Sequence, residues 1–420
     1  VIVTDHHQFR DEPPGATAIL NPKLEGETYP DKELAGVGIA YKLCQALLTS
    51  RGVDSVLLKE HLDLVALGTV ADIVPLTGEN RIFAKFGLEK LGSTKKPGIR
   101  ALIEVCRLKE GPFTTYHIGF LLAPRLNAAG RISSAREAVR LLMTQDSQEA
   151  ARLAELLDAE NKRRRELDEA ILEEAISLVE AELNLEEQMA IVLAKEGWHE
   201  GVVGIVASRL VERYSRPAIL VALDGDKGKG SGRSIPGFHL YEALRSCQDR
   251  LIAFGGHEQA AGLAVESRQL ESFKREFASV ARARLSQEDL TPKLMLDCEL
   301  PISQIDDEVL NGLARLAPFG AGNPEPLFLG EGLEVVGSPK VVGENHLKFK
   351  LRESDRVFSA IGFGLGHFHD RVEIAKPVFG IAFTPEQDEY FGKSRIQLKV
   401  SDIRIREGDG RRGGRSSPSL

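Results

Sequence analysis

The feature that most constrains the fold is a change of period along the chain. Between Ser134 and Leu183 apolar residues recur at every third or fourth position: Leu153, Leu156 and Leu157, then Leu167, Ile171, Leu172, Ile176, Val179 and Leu183, with charges between them. That spacing gathers them on one stripe of a helix. After Thr291 the period falls to two. Leu347, Phe349 and Leu351 alternate with Lys348, Lys350 and Arg352, and Ile396, Leu398 and Val400 alternate with Gln397, Lys399 and Ser401. Alternation of this kind marks strands with one buried face. A chain of 420 residues that carries both periods holds more than one core.

The remaining segments place the boundaries. Val1 to Thr4 is a β-branched run that stops at Asp5, as expected of a buried parallel strand delivering residues to its carboxyl end. A helical stretch over 34–50 and the apolar residues Leu57, Leu58, Leu62 and Val65 lead to "GTVADIVPL". Residues 1–133 therefore read as an α/β, parallel-sheet domain without its beginning, and 134–187 as a connector of two helices. Over 188–286, "MAIVLA" and "PAILVAL" read as strands, "GVVGIVASRLVERY" and "SRQLESFKREFASVARARL" as helices, and "DGDKGKGSGRS" as a glycine-rich turn entering a strand. That is a second α/β domain. Residues 291–405 suggest an OB-like β-barrel, and 406–420 a disordered basic tail.

A net charge of -8 argues against nonspecific coating of nucleic acid, so any polyanion site is local. "NKRRRE" (161–166) and the terminal Arg404, Arg406, Arg411, Arg412 and Arg415 are candidates, and each reads equally as a solvated helix face or a tail. Cys44, Cys106, Cys247 and Cys298 form no C-x-x-C pair and are expected to be core thiols. With no signal-peptide pattern and no run of eighteen apolar residues, we expect no membrane insertion and a cytosolic location.

Several short motifs carry chemistry. Asp5, His6 and His7 are an acid and two imidazoles at a strand end, fit for metal or phosphate chemistry or else structural. Asp72 lies among small and apolar residues, where an unpaired charge is costly to desolvate; a cation, a helix cap or a salt bridge would compensate it. "APRLNAAGR" sets Arg125 and Arg131 around Asn127, either to grip a polyanion or to form ion pairs with the helical connector. His199 precedes glycines and a helix start, Ser231 and Arg233 sit on the glycine-flanked turn, and His257 follows two glycines. Each reads alone as an ordinary turn, and together as a phosphate-binding face.

In this order "TDHH", "GTVADIVPL", "APRLNAAGR", "GWHEGVVGIVASRL", "GSGRS", "FGGHEQAAG" and "PFGAGNPEP" resemble the DHH phosphoesterase family, and within it the RecJ-type exonucleases, over residues 1 to about 405. The resemblance implies a partial DHH domain, a DHHA1-like second domain and an OB-like barrel. It further implies 5′-to-3′ hydrolysis of single-stranded DNA to mononucleotides with two Mn2+ or Mg2+ ions, His6 and Asp72 as ligands, Asp5 supporting the site and His7 on the scissile phosphate. Arg131, Ser231 and Arg233 would grip DNA phosphates, with Arg125, Asn127, His199 and His257 assigned to the same side. A single-strand-binding protein is an implied partner. The family's first metal motifs precede DHH, so we expect a fragment that is inactive by itself. Two other readings stay open: a phosphoesterase for short oligonucleotides or cyclic dinucleotides, which generally lacks the barrel, and a noncatalytic DNA-binding scaffold.

Overall fold

A computed structural model describes residues 1–8, 13–109, 111–374, 379–390 and 393–405. The chain divides into two compact units, one formed by Val1–Gly87 with Leu294–Leu420 and the other by Leu88–Lys293. The expected tail at 406–420 lies outside the described residues.

The first unit begins with β1 (Ile2–Thr4) and β2 (Ala18–Leu20), which pair in parallel. Three helices follow: α1 (Gly36–Ser50), α2 (Leu62–Ala71) and α3 (Gly78–Leu91). Leu34, Ile39, Val65 and Phe83 form their shared core.

In the second unit α4 (Pro97–Val105), α5 (Ala123–Ile132) and α6 (Arg136–Met143) precede α7 (Ser147–Glu182). The stretch read as a connector of two helices contains α6 and α7, and α7 runs for 36 residues because no glycine or proline interrupts it. Asp146 caps its start by accepting from the Gln148 and Glu149 amides. The α/β layer contains β3 (Ile191–Glu196), α8 (Val203–Tyr214), β4 (Ala218–Asp224), β5 (Lys227–Arg233), α9 (Leu240–Ser246), β6 (Ala253–Gly256), β7 (Ala260–Glu266) and α10 (Leu270–Arg284). Its sheet runs β3-β4-β5-β7-β6, with only β3 and β4 parallel. Both faces of β4 are covered, which explains its unbroken apolar sequence. Ile219 and Val221 pack with Phe238, Phe273 and Phe277 on one side, and Ala218, Leu220 and Ala222 with α8 and the second half of α7 on the other.

The first unit is completed by β8 (Cys298–Glu299), α11 (Asp307–Leu316), β9 (Phe328–Val335), β10 (Lys340–Val342), β11 (His346–Glu353), β12 (Arg356–Gly362), α12 (His369–Ile374), β13 (Phe379–Tyr390) and β14 (Lys393–Ile405). β9 pairs with both β13 and β11, closing β9, β11, β12, β14 and β13 into a barrel. Leu347, Phe349 and Leu351 point inward while Lys348, Lys350 and Arg352 are exposed, as their alternation requires. The segment "PFGAGNPEP" joins barrel and α-helices within this unit: Leu76 N donates to Ala321 O at 2.6 Å. Arg81 donates to the carbonyls of Arg315, Leu316 and Ala317.

Candidate metal cluster and anion groove

β1 delivers Asp5, His6 and His7 at its carboxyl end, where the Asp5 amide still donates to Leu20 O at 3.0 Å. The chain then turns around the Asp5 carboxylate. Oδ1 accepts from the His6 amide at 2.8 Å, the His7 amide at 3.2 Å and His7 Nδ1 at 2.8 Å. Burial pushes the Asp5 carboxyl up, but the His7 ring and the two amides outweigh it and hold the group below the usual carboxylate range. A carboxylate so held is an acceptor, so His7 Nδ1 carries the proton and Nε2 is left facing solvent.

His6 turns the other way, and its Nε2 lies 3.1 Å from Asp72 Oδ2. Gly36 opens α1 beside this ring; a Cβ there would stand 3.3 Å from His6 Cδ2. Asp72 caps the carboxyl end of α2, and Ile73 after it has φ 58°. A β-branched residue in the left-handed region is strained, and such strain collects at functional sites. The Asp72 side chain is 44% exposed, so the expected desolvated carboxylate is not what the fold provides. The helix ends at this residue and turns its carboxylate out toward His6. One ligand atom from each of Asp5, His6 and His7 lies within 4.8 Å of the others. Asp72 adjoins this cluster through His6 alone, and the two imidazoles and two carboxylates are a donor set that fits a divalent ion such as Mn2+ or Mg2+.

The second unit holds a groove of about 700 Å³ lined by residues including Arg131, Gly201, Gly204, Ser231, Arg233 and Gly262. Ser231 and Arg233 do not lie on a turn, as expected, but within β5, which pairs with both β4 and β7. "KGKGSGR" has period two. Gly228, Gly230 and Gly232 face the apolar layer, where any Cβ would meet Val221, Leu263 or Ile219 at 2.6–3.0 Å. Lys229, Ser231 and Arg233 share the opposite face. Arg233 donates to Ser231 Oγ at 3.0 Å, and a Cβ on Gly204 of α8 would lie 2.7 Å from that oxygen. Gly201 is equally constrained: a Cβ there would stand 2.2 Å from the carbonyl of Arg131, whose guanidinium donates to Gly201 O at 3.3 Å. The start of α8, the end of α5 and β5 thus meet closely. Burial, and then the charge of Arg131, lower the Arg233 guanidinium from its usual range. Among the described residues no carboxylate pairs with either arginine. Glu200 also lines the groove but pairs with Lys229 at 2.8 Å, so the two arginines and a hydroxyl beside a helix start offer donors suited to an anion.

The other sequence candidates fall outside this lining. Arg125 is committed to structure, with Nε at 2.8 Å from Asp158 Oδ1 and Nη1 at 2.6 Å from Leu121 O. Asn127 is exposed on α5. His199 lines a neighbouring hollow, and its Nδ1 accepts from the Gly201 amide at 3.1 Å. His257 is exposed and its Nδ1 accepts from the Gln259 amide at 3.3 Å. Arg164, from "NKRRRE", turns inward; burial lowers its guanidinium, which lies within the field of Asp168, Arg165 and Arg131.

Family models for the DHH family N-terminal domain, the DHHA1 domain and the RecJ OB domain match residues 1–69, 186–283 and 296–402. The single-stranded-DNA-specific exonuclease RecJ of Salmonella typhimurium is 41% identical, over 96% of this chain and 73% of its own length. The chain belongs to the RecJ family. RecJ of Bacillus subtilis is also 41% identical, and the chain spans 51% of its length. RecJ of Thermus thermophilus, solved with Mg2+, superposes with a TM-score of 0.82 at 35% identity, covering 97% of this chain and 60% of that one. The same protein solved with Mn2+ gives 0.83 at 34%, covering 97% and 58%. Membership in the RecJ family agrees with the α/β fold and the barrel expected from the sequence. Among the described residues no helix is long and apolar enough to cross a membrane.

Proposed function

We propose that this chain supplies the strand-handling core of a 5′-to-3′ exonuclease for single-stranded DNA, together with part of its divalent-metal site. The observation that carries this reading is the Arg131, Ser231 and Arg233 groove, where the lining carboxylate Glu200 is taken up by Lys229 and both arginines keep their charge without an acid partner among the described residues, in a chain whose relatives are named as single-strand-specific exonucleases.

His6 and Asp72 would hold a divalent ion, Mn2+ or Mg2+, with Asp5 and His7 at its edge. When bound, such ions polarise a phosphodiester and lower the pKa of water. The side chains do the rest. Asp5 fixes the His7 ring through Nδ1, so Nε2 presents toward a scissile phosphate. Arg131 and Arg233 offer forked donors to a terminal phosphate and Ser231 a hydroxyl, and a half-buried site strengthens these charge-assisted bonds. Holding one end of the strand in this way would set the direction of cleavage, which the metal site by itself cannot do.

The barrel adds an exposed row, Lys348, Lys350 and Arg352, fit to follow a phosphate backbone. Among the barrel's aromatic residues, Phe328 and Phe349 are core, whereas Phe363 is 55% exposed against His346. The Tyr390 side chain lies outside the described residues. The barrel disfavours a phosphoesterase limited to dinucleotides, and the convergence of His6 with Asp72 disfavours a scaffold without metal chemistry. A cytosolic location and a single-strand-binding protein as partner belong to the same proposal and rest on family membership alone.

The test is calorimetric titration of the chain with Mn2+, beside anisotropy titration with 5′-phosphorylated single-stranded and duplex oligonucleotides. The reading requires metal binding that depends on His6 and preference for the single strand. Equal affinity for duplex would contradict it.

A further inference from the structure

A six-residue π-helix, His117–Leu122, runs without a break into α5. Wide turns of this type are rare and recur at functional sites. Here the turn carries aromatic residues outward. Tyr116 and Phe120 are 58% and 68% exposed. Their rings stack, with centroids 5.0 Å apart and planes at 24°. His117 adds an edge-on contact to Tyr116 at 6.1 Å and another to Phe113 at 5.4 Å. Burying a large aromatic side chain is among the larger gains open to a fold, so a preorganised pair left in water marks a surface with an occupant.

The direction of the helix says what that occupant is. Ile118, Leu122, Ala123, Ala128 and Ala129 are buried and fix one face on the core. The opposite, exposed face carries Tyr116, Phe120, Asn127 and Arg131 in order. Its last residue lines the anion groove with Ser231 and Arg233. From Phe120 to Arg131 the helix rise gives roughly 16 Å. One continuous surface thus has stacked aromatic rings at one end and cations around an anion groove at the other. A ligand that matches both ends is anionic along its length and carries flat apolar groups at intervals. A folded protein partner has no reason to combine the two. A single-stranded nucleic acid does.

We infer that Tyr116 and Phe120 form a base-stacking platform for the single strand whose terminal phosphate sits among Arg131, Ser231 and Arg233. This inference rests on the groove being an oligonucleotide site. Stacking on such residues tolerates any sequence, because every base has a π-face. It also requires unpaired bases: in a duplex the faces are covered by neighbouring pairs. The platform therefore contributes to selecting single strands over duplex, a role that phosphate contacts cannot perform because both substrates carry phosphates.

The experiment compares two 5′-phosphorylated oligonucleotides of equal length, one with thymine bases and one abasic throughout, binding to the full chain. Phe120→Ala and Tyr116→Ala should weaken the base-bearing strand by about 5- to 150-fold each and leave the abasic strand unchanged. Phe120→Trp should restore binding, and 2-aminopurine placed near the 5′ end should be quenched by the unmodified chain and by Phe120→Trp but not by Phe120→Ala. Both positions are exposed, so an unchanged circular dichroism melt is expected of every variant. Equal weakening of both oligonucleotides, or no weakening of either, would overturn the inference, as would a concentration-dependent dimer that Phe120→Ala dissolves. The underlying reading fails separately. If Arg233→Ala leaves the binding of both oligonucleotides unchanged, the groove is not the phosphate site; if Arg233→Ala weakens both while Phe120→Ala affects neither, only the platform is wrong.

Discussion

His6 Nε2 and Asp72 Oδ2 lie 3.1 Å apart, although one residue ends a strand and the other ends a helix. His6 and Asp72 would hold a divalent ion together, so both should be needed for binding. Among the described residues four side chains cluster here, so water would have to supply most of the ligands of two hard ions, each of which takes about six. This chain should therefore bind Mn2+ weakly and show no turnover of single-stranded DNA. His6→Ala and Asp72→Ala should each abolish the calorimetric signal. Tight binding of two ions together with turnover would contradict this.

Asp5 holds in place the His6 that would ligate the metal, because its Oδ1 accepts from the His6 amide as well as from His7. Asp5→Asn keeps the shape but exchanges an acceptor of three hydrogen bonds for a weaker one. Loss of a partner that orients a ligand costs about 10- to 100-fold in metal affinity. Titration of Asp5→Asn with Mn2+ should show a loss in that range; unchanged affinity would mean that Asp5 only shapes the turn.

Arg125 is predicted to matter for stability. Its partner Asp158 is buried, and although burial alone would raise that carboxyl, hydrogen bonds and charge from Lys162 and Arg125 hold it below the ordinary range. A depressed folded value stabilises the protein above the unfolded carboxylate pKa of about 3.9 and is lost as pH falls through the lower folded value. Arg125→Ala should cost about 1.5–3 kcal/mol at pH 7, because it removes one of the two cations that hold a buried carboxylate, leaving Lys162. The penalty should shrink below roughly pH 4. Urea titrations at pH 7 and pH 3 read this directly, and a penalty that does not change with pH would show that the loss comes from packing.

The barrel's exposed row should set salt sensitivity. Lys350→Glu with Arg352→Glu should weaken binding of long single strands and reduce the slope of log affinity against log salt by about 0.7 per lost phosphate contact. Anisotropy at several salt concentrations measures it. An unchanged slope would place the strand elsewhere.

Much of this was legible in the sequence, for identifiable reasons. Leu347, Phe349 and Leu351 announce a strand by their period of two, and the β-branched run Val1–Thr4 announces β1, although that strand is not the buried one expected, since Ile2 is 61% exposed. Closure of the barrel was not legible in its detail, since pairing of β9 with β11 is a long-range register choice that no local pattern encodes. Arg125 and Arg131 look alike in "APRLNAAGR", and only tertiary packing separates the one that meets Asp158 from the one that opens on the groove. Ser231 and Arg233 were placed on a turn because glycines usually signal one. The signal that would have found β5 was the strict alternation of those glycines with polar residues. Tyr116 and Phe120 gave no warning, because aromatic residues four apart on a helix are ordinarily core.

The most direct test of the account is the response of Arg233→Ala to the chemistry of the 5′ end. Binding of two single-stranded oligonucleotides, one with a 5′-phosphate and one with a 5′-hydroxyl, is measured by anisotropy for the unmodified chain and the variant. A charge-assisted contact contributes about 1.5–3 kcal/mol, roughly 10- to 150-fold in affinity. The account predicts a loss of that size for the phosphorylated strand and little change for the hydroxyl strand. Equal losses on both strands would contradict it and would make Arg233 a general backbone contact.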